Sequence, residues 1–364
     1  MSTVRGVRSR CPRTEDENSM TVAVPAGSAW KRWLAATAFA ALTAPLVLAA
    51  PAAADTSRPR DDAPPSTASA SSTTTANPLA SGPALPTYSA AAEARKAAVA
   101  AGRTSVAKQI GVIAAQPTAT WLGDWYDTAA LTRVLTAETQ AAARQRKVAV
   151  FVLYGIPARD CGLHSGGGFD ASTYRQWTKS IAQTLRGTRS VAIIEPDALA
   201  MLGECDGQGD RAGLIRAAVR DLSAAGVATY IDAGNSGWVP AQVMAERLRA
   251  AGVAEARGFA TNVSNFFPTA AEQKYAERVR SLVGGKARYV IDTSRNGRGW
   301  TGEWCNPRGV GLGSTPRAVS GSGGLDALLW IKRPGESDGE CAGGPAAGSW
   351  YETAALDLVR LRAS

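Results

Sequence analysis

Two short stretches, YGIPARDCG at 154–162 and IIEPDAL at 193–199, run from apolar residues abruptly into a carboxylate, Asp160 in the first and Asp197 in the second. A carboxylate at the end of a buried strand is costly unless it is solvated, paired or chemically employed. The chain has a single histidine, His164, which reads as a loop residue without chemistry of its own. Ser-His-Asp triads, histidine general bases and histidine-rich metal centres are thereby nearly removed. Any acid/base chemistry falls to carboxylates. No Cys-x-x-Cys pair occurs, which speaks against a zinc or dithiol site.

The elements that must position these acids repeat along the chain. Beyond residue 117 an apolar β-run, a polar or Gly-rich end and a helical stretch recur seven times. The runs are TWLGDW (120–125), VAVFVLYG (148–155), SVAIIEPD (190–197), VATYIDAG (227–234), GFATNVSN (258–265), ARYVIDTSRNG (287–297) and ALLWIKRPGESDG (327–339). Helical segments at 128–146, 171–186, 210–225, 240–252 and 270–283 lie between them. Continuous apolar strands alternating with helices predict a parallel sheet buried on both faces. This number of units fits a closed β/α barrel better than the alternative, an open doubly wound sheet. No GxGxxG follows a first strand, so a dinucleotide site is not expected. Polar residues gather at the C-terminal strand ends: Asp124, Tyr154, Asp160, Asp197, Asp232, Asn262, Asp292, Asn296, Lys332, Glu336 and Asp338. In either fold that end carries the ligand. For Asp232 and Asp292 the plainer reading is loop capping or pairing with Arg295, and for Glu195 a bond within the barrel.

Length and composition, 364 residues with 45% hydrophobic and 20% charged, suit a globular chain. Lys31-Arg32, an apolar run over 33–50 and Ala52-Ala53-Ala54 read as a secretion signal cut after Ala54, with Met20 a candidate true start. Pro45 interrupts the run, which is too weakly apolar for a membrane anchor. Residues 55–86, rich in Ser, Thr, Ala and Pro, predict a flexible tether, leaving 87–364 as a single domain. Residues 1–54 hold six Lys/Arg against three Asp/Glu, so the formal charge of +9 falls to about +6 after cleavage. The positives are scattered, which makes nucleic acid a poor partner. Cys11 leaves with the signal, and Cys161, Cys205, Cys305 and Cys341 allow three connectivities. The nearest-neighbour pairing closes loops of roughly 35–45 residues, each stabilising by about 3–4 kcal/mol.

Of ten tryptophans, Trp121, Trp125, Trp238, Trp300, Trp304 and Trp330 sit beside the polar strand ends. Trp330, within ALLWIK, reads as core. Trp238 and Trp304 sit in loops among Gly, Ser, Asn and Cys, where core is less natural. Flat aromatic faces next to carboxylates suit sugar rings, whose C–H faces stack while their hydroxyls hydrogen-bond. Acids together with loop tryptophans point to a polysaccharide.

YGIPARDCGLHSGGG and VAIIEPDALA resemble the two signatures of glycoside hydrolase family 6, the cellobiohydrolases and endo-β-1,4-glucanases. The likeness continues in order through YIDAGNSGW, GFATNVSN, YVIDTSRNGRG, EWCNPRGVGLG and LDALLWIKRPGESDG and covers 118–351. The resemblance implies a distorted, seven-stranded parallel β/α barrel with its active site at the C-terminal strand ends. It implies Asp197 as general acid, Asp160 as the nearby charge guiding the attacking water, and Asp338 as base, a role whose directness is debated in the family. A general acid needs its pKa raised by burial or by a neighbouring anion. Tyr154 corresponds to the tyrosine under the distorted sugar and Ser165 to the mobile Gly-rich loop. Trp121, Trp238 and Trp304 correspond to subsite platforms and Lys332 and Glu336 to sugar-hydroxyl ligands, with Asn262, Arg159 and Asp232 as further binding candidates. The family's disulfides imply Cys161–Cys205 and Cys305–Cys341, and its chemistry implies neither metal nor organic cofactor. Its inverting outcome implies carboxyl groups roughly 6.5–9.5 Å apart or more.

Cellobiohydrolases of this family roof the cleft with long loops. Here only seven residues separate Asp197 from Cys205 and two separate Asp338 from Cys341. An open groove is expected, and with it a secreted, monomeric endoglucanase (EC 3.2.1.4 type) acting on β-1,4-glucan. The alternatives are an exo-acting cellobiohydrolase, a hydrolase of another β-glucan, or a non-catalytic glucan-binding relative. The chain departs from the family at Asn235-Ser236, where many relatives have His, and around Arg298–Gly302.

Overall fold

The computed structural model describes residues 76–363 apart from Ser322. The signal at 1–54 and the greater part of the tether expected at 55–86 lie outside the described residues. Seven strands run parallel: β1 (Thr120–Leu122), β2 (Ala149–Leu153), β3 (Ser190–Ile194), β4 (Ala228–Asp232), β5 (Gly258–Thr261), β6 (Arg288–Asp292) and β8 (Leu325–Leu329). The two-residue β7 (Arg317–Ala318) pairs antiparallel with β8 at the sheet's edge. The sheet thus has eight strands, in the order β1-β2-β3-β4-β5-β6-β8-β7. It is a curled, mostly parallel half-barrel: the TIM-like parallel β/α architecture is as expected, whereas the sheet counts eight strands where the distorted barrel expected had seven. Among the described residues no ladder joins β1 to β8. Their ends meet through Ala119 N–H to the Trp330 carbonyl (3.2 Å) and Trp121 Nε1 to the Ile331 carbonyl (2.9 Å).

Period-two side-chain alternation divides the strands between two apolar layers. Val150 and Val152 of β2 join Val191, Ile193, Tyr230, Val290 and Leu329 inside the curl. Phe151 and Leu153 face outward with Ile194, Ile231 and Phe259, and the helices cover them. Both faces are buried, which is why the strands read as unbroken apolar runs.

The crossover helices are α3 (Thr128–Gln145), α4 (Ala171–Leu185), α5 (Arg211–Ala224), α6 (Ala241–Ala250) and α7 (Thr269–Leu282). Asp127, Asp170 and Asp210 cap α3, α4 and α5 by accepting first-turn backbone N–H groups. α4 buries Tyr174, Trp177, Thr178, Ile181, Ala182 and Leu185, a spacing of three and four residues that lays one stripe on the sheet. Two helices before β1, α1 (Ala90–Ala100) and α2 (Thr104–Ala114), pack with the last, α8 (Glu352–Arg360), over Trp330, which is core as expected. They close the side of the molecule where the ladder does not.

The boundary at residue 87 needs correction. Leu79 is fully buried in the inner layer, Pro83 bridges Val148, and the Asn77 side chain donates to the Val319 and Asp326 carbonyls. Residues 77–86 are part of the folded body. One leucine among small polar residues is enough to fill the inner layer near the start of β2, a contact invisible in composition.

Candidate active site

The strand ends leave regular geometry to aim their acids. After β3, Glu195 (φ 50°) and Asp197 (φ 68°) adopt left-handed backbone, as do Asp160 (φ 55°) and Cys161 (φ 48°) after β2. Non-glycine residues hold that conformation only where their surroundings enforce it. Here the enforcement is visible. Glu195 is fully buried and accepts the Gly155 and Ile156 N–H groups at 3.0–3.1 Å, joining the end of β3 to that of β2. Asp232, at the end of β4, accepts the Asp197 and Gly234 N–H groups at 3.0 Å. Arg211, the first residue of α5, donates to the carbonyls of Ala198, Pro157 and Ala158 at 2.8–3.1 Å. Disulfide Cys161–Cys205 ties the same two loops. The loops bearing Asp160 and Asp197 are therefore fixed to each other.

These loops open into a cleft of about 760 Å³. Trp121, Tyr154, Arg159, Asp160, Ser165, Asp197, Trp238, Trp304, Lys332, Glu336 and Asp338 all line it. Every proposed catalytic residue is thus brought to one cavity. Burial and the charges of Asp160, Asp338 and Glu204 push the Asp197 carboxyl up to about 7, against the weaker opposing charge of Lys332. The Ser165 amide and hydroxyl donate to Asp160 at 2.9 and 2.8 Å, and that hydroxyl lies 3.3 Å from the Tyr154 hydroxyl. Trp121 meets the Tyr154 ring edge-on, and the Arg159 guanidinium lies 4.9 Å from it. Burial and the Asp197 and Asp160 charges raise the Tyr154 phenol well above its usual value, so it stays neutral.

Asp338 has the opposite environment. Arg295 donates to both carboxylate oxygens (2.9 and 2.7 Å), Lys332 lies at 3.2 Å, and the Asn306 N–H donates at 3.0 Å. Burial works to raise its pKa, but these cations outweigh burial and hold it at about 2. Arg295 itself lies over the Phe266 ring at 4.3 Å. Asn306 accepts the Asp338 N–H and donates to the Gly339 and Cys341 carbonyls beside disulfide Cys305–Cys341. Both disulfides follow the nearest-neighbour pairing.

Three expected binding residues are placed differently from the rest. Arg159 lines the cleft with its guanidinium committed to Asp124 (2.6 Å) and to the Tyr154, Ser165 and Gly166 carbonyls, so it holds the Gly-rich loop in place. Asp232 and Asn262 are buried and absent from the lining. Asp232 supports Asp197 from below. Asn262 binds the Asp292 carbonyl and the Phe267 backbone. Asp292 accepts N–H groups of Ser264, Ser294, Ile331 and Lys332, a loop anchor as its plainer reading held, and Arg295 pairs with Asp338 instead. Arg211, Asn306 and the Arg295–Asp338 pairing escaped sequence reasoning because the groups that meet are far apart in the chain: Pro157 and Ala158 lie 54 and 53 residues from Arg211, and Asp338 lies 43 from Arg295 and 32 from Asn306. His164 sits against Trp304 (5.9 Å) near Cys305 and Cys341, whose bonded sulfurs offer no thiolate to a metal.

The model of glycosyl hydrolases family 6 matches residues 83–362, spanning both acid-bearing loops, the Asp338 turn and all eight strands. The chain belongs to this family. It is 48% identical over 248 residues to "Endoglucanase A" of Cellulomonas fimi, covering 68% of this chain and 55% of the relative, so it spans about half that protein's length. "Exoglucanase 3" of Agaricus bisporus is 32% identical over 294 residues, covering 68% of this chain and 66% of the relative. Among solved structures, the Mycobacterium tuberculosis endoglucanase Cel6, in complex with methyl-cellobiosyl-4-deoxy-4-thio-β-D-cellobioside, aligns with a TM-score of 0.73 at 40% identity. The alignment covers 79% of this chain and 99% of that one. The family 6 fold of this chain accordingly includes the segment from Pro83 that composition assigned to the tether.

Proposed function

We propose that the protein is a secreted, inverting endo-β-1,4-glucanase with Asp197 as general acid. The observation that carries this reading is a carboxyl near 7 in an aromatic-lined cleft, flanked by two further carboxylates, Asp160 and Asp338. Asp197 can keep its proton near neutral pH and deliver it to a departing glycosidic oxygen. Trp121, Trp238 and Trp304 offer faces for sugar rings, and Lys332 and Glu336 offer polar partners for their hydroxyls. Tyr154, neutral and held under the cleft, supports the ring at the reacting centre. The name of the 48% identical relative and the short turns after Asp197 and Asp338 favour cleavage within chains over cleavage from ends.

The environments of the other two acids refine the expected roles. Asp338, held at about 2 by two cations, is a poor proton acceptor and acts best as a fixed anion that raises Asp197 and faces the positive charge developing on the sugar. Asp160 is in no ion pair among the described residues and is linked to Ser165 at the cleft surface. We assign to it, through Ser165, the orientation and deprotonation of the attacking water. In this reading Asp338 supports the base step and does not perform it.

The test follows carboxymethyl cellulose viscosity and reducing ends together, using the full chain and Asp197→Ala. A steep viscosity fall at few reducing ends, lost in the variant, supports the proposal. Reducing ends without viscosity loss mean attack from chain ends. Intact activity in Asp197→Ala removes the acid assignment.

A further inference from the structure

Trp300 lies in the stretch between β6 and β7 that also carries Trp304. Its side chain is 40% exposed and lines the cleft, yet it is not loosely placed. The ring is parallel to that of Phe267, with centroids 5.4 Å apart and an interplanar angle of 7°, and Phe266 flanks it at 6.3 Å. Phe267 covers one face of the indole, which leaves the other for the cleft.

The support beneath it is rigid. Asn262 accepts the Phe267 N–H (3.0 Å) and donates to its carbonyl (3.3 Å), and Asn296 donates to the same carbonyl (3.0 Å). Both asparagines are buried. The Phe267 ring occupies the space that a Cβ on Gly237 would enter, so this backing ring lies directly against the turn that presents Trp238. A flat aromatic surface fixed before binding loses little entropy when a ring stacks on it. Nothing in the acid machinery requires Trp300: it contacts neither Asp160, Asp197 nor Asp338 through any hydrogen bond or ring contact.

We infer that Trp300, backed by Phe267, is a further sugar-stacking platform beside Trp238, which takes one more glucosyl unit of a chain lying in the cleft. The inference rests on the β-glucan reading above and names a determinant of how long a chain the cleft grips. Longer substrates gain from it, and the shortest do not.

The test is calorimetric binding of cellotriose and cellohexaose to the full chain carrying Asp197→Ala, compared with the same chain also carrying Trp300→Ala or Trp300→Phe. Trp300→Ala is expected to weaken cellohexaose roughly three- to tenfold, with cellotriose changed less than about twofold and the melting temperature unmoved. Trp300→Phe is expected to restore much of the loss. Unchanged cellohexaose affinity with cellotriose still bound overturns this inference alone. Equal losses for both lengths, or a loss that Trp300→Phe does not mend, mean that Trp300 only shapes the loop and likewise overturn it. Failure of the Asp197→Ala chain to bind either sugar overturns the β-glucan reading, and this inference with it.

Discussion

Asp197 and Asp338 share one side chain and differ in proton affinity, about 7 against about 2. Burial acts on both. The difference is the company: carboxylates around Asp197, Arg295 and Lys332 around Asp338. Linkage makes this a statement about stability. The Asp197 pKa is raised on folding, so its favourable contribution is complete below about pH 4 and is lost as pH rises through about 7. At higher pH the buried anion costs on the order of a few kcal/mol. Asp197→Asn removes that ionisation. The variant is expected to melt several degrees above the parent at about pH 8, the gap narrowing towards about pH 4, while activity is lost throughout. A melting-temperature difference independent of pH would show that Asp197 is not the titrating group. For the parent, activity should fall as pH rises through about 7, because the acid form is then depleted. The two signature acids were legible as chemistry because a carboxylate ends each apolar run. The opposite electrostatics of Asp197 and Asp338 were not, since Arg295, which pairs with Asp338, comes from the stretch after β6, 43 residues away.

At the scale of elements, the seven parallel strands and the five crossover helices were readable because each carries one dominant period, continuous for a doubly buried strand and three-to-four for a helix covering it. The turns that aim the acids were not. Left-handed backbone at Glu195, Asp197, Asp160 and Cys161 is set by distant groups, Arg211 foremost among them. That arginine is 1% exposed and its three carbonyl partners belong to the two acid-bearing loops. Replacing it by methionine keeps much of the volume and strips the donors from those carbonyls. Arg211→Met is expected to cost roughly 3 kcal/mol, since each orphaned buried acceptor costs about 1–3 kcal/mol and part of the loop relaxes. Its effect on turnover should exceed its effect on KM, because the loops carry the acids while the tryptophan platforms lie elsewhere. Chemical denaturation and steady-state kinetics check both. A stable variant with parental kcat would mean that disulfide Cys161–Cys205 and Glu195 suffice to hold the loops.

For the whole molecule, the half-barrel must close its open side and fill its inner layer without a β1–β8 ladder. Helices α1, α2 and α8 do the first over Trp330, and the 77–84 segment does the second. Neither was legible. The helices lie outside the repeating strand pattern, and the segment carries only one large apolar residue after a Ser/Thr/Ala/Pro stretch. Yet Leu79 is buried completely in the inner layer that also holds Val148 and Val150, and Asn77 links the segment to β8 and to the residue after β7. A leucine at such a site contributes both its transfer from water and the filling of a cavity that nothing else can reach, so Leu79→Ala should cost about 2–5 kcal/mol. The site lies near the start of β2, away from the acids at the strands' C-terminal ends. The expected signature is therefore lower resistance to heat or urea with KM and kcat nearly intact at moderate temperature. Loss of activity in proportion to stability under those conditions would mean that the inner layer governs the cleft directly. Parental stability would mean that the segment merely lies on the fold, and the boundary near residue 87 would stand after all.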